Sequence, residues 1–97
     1  MFWRRYRGEF RKTWFGAESR EGFRIEIRSK NWIDHIQERT RRRVFAEPMG
    51  RRNGWIVYAS PKNCKGFEKL TPERTSQIFD DIRRALGFLG YEVDMVE

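Results

Sequence analysis

With 97 residues, 21 Lys/Arg against 14 Asp/Glu and 15% aromatic residues, the chain reads as one small, strongly basic domain over 1–97. A chain of this size buries only about 60–65% of its unfolded surface, which leaves little room for a core plus a deep substrate cleft. A single cysteine, Cys64, excludes an internal disulfide and a multi-thiolate metal site within one chain, and no apolar run approaches the roughly 20 residues that span a bilayer.

The basic start, Met1-Phe-Trp-Arg-Arg-Tyr-Arg7, is followed by no apolar stretch of the kind a secretory signal needs. The expected compartment is therefore a reducing cytoplasm, with no membrane partner. Charge is unevenly placed: residues 1–53 hold 15 Lys/Arg against 7 Asp/Glu, and residues 54–97 hold 6 against 7. Such polarity favours nucleic acid on one side or a charged protein partner on either.

In residues 1–21, Phe2, Tyr6, Phe10 and Trp14 recur at a helical spacing of four, yet aromatics are also good strand formers. A short helix or irregular arm is expected there, its aromatics docked on the α+β core of residues 22–97 or on a second copy of the chain. Phe23, Ile25 and Ile27 alternate with Arg24, Glu26 and Arg28, the period of two that marks a strand. Residues 32–40 fit either a helix or a strand. Arg43–Glu47 reads as a strand stopped by Pro48. Between Gln37 and Phe45 no Gly or Asn supplies positive φ, so a hairpin there is expected to use a longer loop around Arg39–Arg42.

Asn53-Gly54 marks a turn, and the apolar run Trp55–Ala59 reads as a central strand. Thr71 fits an N-cap and Pro72 the first helical position. Ile78, Ile82, Ala85, Leu86 and Leu89 then form one apolar stripe, and Gly90 ends the helix. Tyr91–Val96 alternates as a final strand. The fold class expected is α+β: an antiparallel sheet of about four to five strands with one C-terminal amphipathic helix packed on it, behind an uncertain N-terminal arm.

Catalytic chemistry is sparsely represented. The single histidine, His35, excludes a two-His metal site within one chain. His35 reads as a surface histidine and Cys64 as an incidental loop cysteine, although Lys62 and Lys65 would tend to lower its thiol pKa. Asp80 and Asp81 point about 100° apart on a helix, so they form no carboxylate dyad; Asp80 and Arg84 fit an i,i+4 ion pair. No glycine-rich phosphate loop is present. No catalytic residue, cofactor or metal is expected. Arg39, Arg41, Arg42, Arg43, Arg51 and Arg52 are candidate nucleic-acid contacts, with Trp32 or Trp55 nearby for stacking.

Residues 23–96 carry a further pattern. Ile36-Gln-Glu-Arg39 leads to Val44-Phe-Ala-Glu47, then Gly54-Trp-Ile-Val-Tyr-Ala-Ser60, Leu70-Thr-Pro-Glu-Arg74, Ile78–Ile82 and Leu86-Gly-Phe-Leu-Gly-Tyr-Glu-Val93. This resembles small immunity proteins of bacterial polymorphic-toxin systems, in which a Glu-Arg strand, a strand ending in Glu, a "V-Y-x-S" strand, a capped helix and a strand after Gly follow one another. Where members often carry a Trp and a Pro after "V-Y-x-S", this chain has Lys65-Gly66-Phe67-Glu68. The resemblance implies binding and neutralisation of a cognate toxin. With a basic chain, either that toxin is acidic or the acidic helix side does the binding, through Asp80, Asp81, Arg84, Glu92 and Asp94.

Overall fold

The computed structural model describes residues 6–97. Eight strands and one α-helix follow in the order β1 (Phe10–Lys12), β2 (Gly16–Ser19), β3 (Phe23–Ile27), β4 (Trp32–Gln37), β5 (Thr40–Pro48), β6 (Gly54–Tyr58), β7 (Cys64–Lys65), α1 (Pro72–Phe88) and β8 (Glu92–Val96), with a short 3-10 turn at Pro61–Asn63 before β7. The α+β class holds, but the sheet has twice the expected number of strands at the low end of the range. It runs β1-β2-β3-β4-β5-β6-β8, with β7 on β5.

The N-terminal aromatic segment forms two strands, β1 and β2, joined by a bend at 13–15, and not a helix or irregular arm. The reason is tertiary. Gly16 lies so close to β3 that a Cβ on it would sit 2.0 Å from the Ile25 carbonyl oxygen, and this approach lets β2 pair in register, Ala17 opposite Ile25. Phe10 and Ala17 then face the core. Phe2, the first residue of the proposed helical stripe, lies outside the described residues.

Residues 32–37 are strand, and the β4–β5 hairpin is tight, contrary to the longer loop expected. Gln37 pairs with Thr40, and Glu38 and Arg39 adopt φ of 50° and 66°. Positive φ at both central residues is the mirror-image turn that matches strand twist. Two non-glycine residues take it because the pairing on either side, from Trp32↔Phe45 to Gln37↔Thr40, fixes the register.

The sheet is mixed, not purely antiparallel. β6 runs antiparallel to β5 but parallel to β8, because the chain crosses over through α1 between them, as a parallel pair requires. Thr71 Oγ1 accepts from the Arg74 N–H at 3.1 Å and Pro72 sits in the first turn, so the cap is the expected one. At the other end Gly90 takes φ of 90°; its N–H donates to the Gly87 carbonyl and that of Tyr91 to the Leu86 carbonyl, both at 3.0 Å. These two bonds are the Schellman closure that lets a chain leave a helix sharply.

The helix lies against β2, β4 and β8 at once. Because β2 and β8 stand near opposite edges of the strand order, the sheet curls into a half-barrel around it. Ile78, Ile82, Ala85 and Leu86 are completely buried and meet Ile25, Ile33, Val44 and Val57 from the concave face. The opposite, convex face carries Arg24, Glu26, Trp32, Asp34, Arg41, Arg43, Phe45 and Tyr58, which the alternation of each strand places there. No described helix is long and apolar enough to cross a membrane.

Candidate functional site

The sequence-selected acidic set does not form one surface. Asp81 is buried at 3% exposure, because it lies on the sheet side of α1 in the stripe with Ile78 and Ile82. Its Oδ2 stands 3.0 Å from His35 Nε2 and its Oδ1 accepts from Arg84 at 2.8 Å. Asp81 is therefore corrected from a surface contact to a core group. His35 is likewise no surface histidine. It is fully buried, its ring stacks on Phe23 at 5.2 Å, and its Nδ1 has no hydrogen-bond partner among the described residues. An inward alternate position of β4 forces it under the helix, and Asp81 supplies the partner that a buried imidazole requires.

Arg84 gathers four carboxylates: Asp80 and Asp81 on its own helix, Glu9 before β1, and Glu21 between β2 and β3. Burial opposes its charge, but Glu21, Asp81 and Glu9 more than offset this and raise its pKa. The guanidinium thus ties the helix to the N-terminal strands. Asp80 also accepts from Arg83, and this bond, against some opposing burial, holds its carboxyl below the ordinary range. The expected Asp80–Arg84 pair is present at 3.1 Å. Glu92 and Asp94 lie away from this cluster on β8, where Glu92 meets Arg52 at 3.3 Å.

The six candidate arginines also separate. Arg39 sits in the β4–β5 turn, while Arg51 and Arg52 follow the far end of β5. The nine residues of β5 put roughly 30 Å between the two groups. Arg42 points to the other face and donates to the Gly66 carbonyl at 3.0 Å. Trp55 is buried on the concave side. Arg41, Arg43 and Trp32 remain together on the convex face.

There the structure brings in residues the sequence did not single out. Glu26 and Asp34 lie side by side across β3 and β4 and are both buried, although they stand on the face away from the helix. Four guanidiniums cover them. Arg24 and Arg28 reach Glu26 at 3.0 and 3.1 Å; Arg41 bridges Glu26 and Asp34. Arg43 Nε stands 3.2 Å from Asp34 Oδ1, an ion-pair contact out of hydrogen-bond alignment. Burial opposes ionisation of Glu26, but the hydrogen bond and charge of Arg24, with Arg28 and Arg41, bring its pKa below the ordinary value. Asp34 in turn is the main reason that the Arg41 pKa rises. A Glu opposite an Asp on adjacent strands between alternating arginines was the available signal; only the register makes it readable.

Beside this grid runs a row of rings from three adjacent strands. Trp32 and Phe45 meet edge to face at 5.6 Å, and Phe45 meets Tyr58 at 5.2 Å. Lys65 lies 5.0 Å over the Trp32 ring. The Tyr58 hydroxyl donates to Glu47, which raises its pKa. Trp14, in the β1–β2 connection, is 93% exposed, and neighbouring Phe15 lies 4.0 Å beneath the Arg28 guanidinium.

Cys64 corrects a further expectation. Burial pushes its thiol up to about 11, against the lowering expected from Lys62 and Lys65, and the thiol donates to the Ser60 carbonyl at 3.2 Å. A thiol so held is a poor nucleophile at neutral pH. Among the described residues no group of three or more His, Cys, Asp or Glu is placed to hold a metal ion. A groove of about 860 Å³ lies between the first half of α1 and the 59–70 loop, lined by Pro61, Phe67, Leu70, Phe79 and Met95 among others. No protein-family model, curated protein or solved structure matches the chain.

Proposed function

We propose that the protein is a cytoplasmic, immunity-like inhibitor that acts by binding and neutralising a cognate bacterial toxin, not by catalysis. The observation that carries this reading is how the segments of the resemblance fold. Residues 36–39 end β4 and begin its turn, 44–47 lie in β5 and 54–60 cover β6. Residues 70–93 supply the capped helix and lead into β8. Together they build β4, β5, β6, α1 and β8, one continuous unit of the fold. Val57 of "V-Y-x-S" is fully buried and Tyr58 faces outward, so the motif serves both the core and the surface. The test is co-expression of this chain with the product of the reading frame beside its gene. Rescue of a growth defect supports the proposal, and a toxic product whose effect this chain leaves untouched contradicts it.

A second reading, a nucleic-acid-binding module, draws on the convex grid of Arg24, Arg28, Arg41 and Arg43. It predicts binding to mixed-sequence DNA that weakens with salt at a log–log slope near −0.9 per phosphate neutralised. No binding at low salt would remove it.

A further inference from the structure

We infer that the convex face of the sheet is the docking surface, and that its occupant is an acidic protein surface. The inference rests on the immunity reading and decides between its two branches. The acidic side of the helix has less charge to offer: Asp81 is buried on His35, and the exposed carboxylates of Asp80, Glu9 and Glu21 share the two guanidiniums of Arg83 and Arg84, which leaves an excess of one negative charge. The convex face is the opposite case. Four guanidiniums, 39–50% exposed on their side chains, stand over only two carboxylates, which leaves a local excess of two positive charges.

This excess is fixed in place. Glu26 and Asp34 hold the arginine heads from below, so much of the rotamer entropy that a long cation loses on binding is already lost before the partner arrives. Bidentate guanidinium geometry suits incoming carboxylates. Next to the grid, the Trp32–Phe45–Tyr58 row offers half-buried apolar area, and Trp14 stands exposed in the β1–β2 connection. Arginine, tryptophan and tyrosine are the residue types that dominate binding energy when desolvated together.

A nucleic acid strand fits this face less well. Base stacking needs open ring faces, but the Trp32 ring has the Phe45 ring against it and the Lys65 ammonium over it. A folded protein with surface carboxylates beside an apolar patch meets both halves of the face.

The probe is the purified product of the adjoining reading frame, titrated into this chain by calorimetry alongside a mixed-sequence 20-nucleotide RNA. Three variants are compared: Arg24→Ala/Arg28→Ala, which leaves Arg41 on Glu26; Lys65→Glu, outside the carboxylate grid; and Asp80→Ala/Arg83→Ala on the helix. Each is first melted to establish that it is folded. The expected result is at least tenfold weaker binding for both convex variants, with the helix variant unchanged. Convex variants that bind as tightly as the native chain, or loss confined to the helix variant, overturn the inference while leaving the immunity reading intact. Binding of the RNA but not the protein overturns both in favour of a nucleic-acid role. No binding of the protein by the native chain removes the immunity reading and this surface with it.

Discussion

Asp80 and Asp81 are adjacent and chemically identical, and the structure gives them opposite weights. Asp81→Ala removes the one hydrogen-bond partner that a fully buried imidazole has among the described residues, where its Nδ1 is already without one. An orphaned buried polar group costs about 1–3 kcal/mol. The bond to Arg84 is lost as well, but Asp80, Glu9 and Glu21 still hold that guanidinium, so this adds only about 1 kcal/mol. The total, about 2–4 kcal/mol, is a large share of the roughly 5–10 kcal/mol such a domain possesses. At about 4–8 °C per kcal/mol, Tm should fall by at least about 8 °C. Asp80→Ala breaks only half-exposed pairs and should cost no more than about 1 kcal/mol. Thermal unfolding followed by circular dichroism separates the two. Equal melting of both variants would refute the buried His35–Asp81–Arg84 link.

Three other outcomes follow from the same geometry. Ile82→Ala, at a fully buried position of the helix stripe, should cost about 2–5 kcal/mol, whereas exposed Arg83→Ala should stay within about 0.5 kcal/mol; like melting of the two would mean that α1 is not docked as described. Glu26, with its pKa lowered by Arg24, Arg28 and Arg41 against burial, binds fewer protons folded than unfolded. Its contribution is complete above the ordinary carboxylate value near pH 4.3 and is lost as pH falls through the lowered one. Urea titrations from pH 6 to pH 3 should therefore show a flatter acid limb for Glu26→Gln, and an unchanged slope would count against the covered-carboxylate grid. Arg39→Gly should raise stability by about 0.5–1 kcal/mol, since it removes a left-handed penalty at φ 66° and gives back part of it as glycine entropy; a lower urea midpoint would show that the turn is not strained.

What the sequence disclosed tracks how local each determinant is. The helix from Pro72 to Phe88 was readable to its ends, because Thr71, the apolar stripe and Gly90 act within one or two turns of themselves. The alternation in Phe23–Ile27 and the apolar run after Gly54 were readable for the same reason. β1 and β2 were not: aromatic residues at spacing four serve either periodicity, and the deciding contact is Gly16 against Ile25, nine positions along the chain. The parallel β6–β8 pair was implicit in a strand–helix–strand order, but the preceding hairpins pointed to an antiparallel sheet throughout.

The candidate site was less readable still. Arg41 and Arg43 were chosen for their charge, and they do share a face, but their fixed positions come from Glu26 and Asp34. Alternation alone marks those two as solvent-facing; only the guanidiniums above them bury them. Asp81 and His35 failed as surface residues for a related reason: 46 positions separate them in the chain, and only the docking of α1 onto β4 reveals the pair.

The central claim, that this chain neutralises a toxin by binding it, is tested most directly by stoichiometric inhibition. The purified product of the adjoining reading frame is assayed for its toxic activity while this chain is added in increasing amounts. The expected result is loss of activity that is complete near one equivalent, with the Arg24→Ala/Arg28→Ala variant requiring at least ten times more. Full activity retained at a large excess of the folded native chain would contradict it.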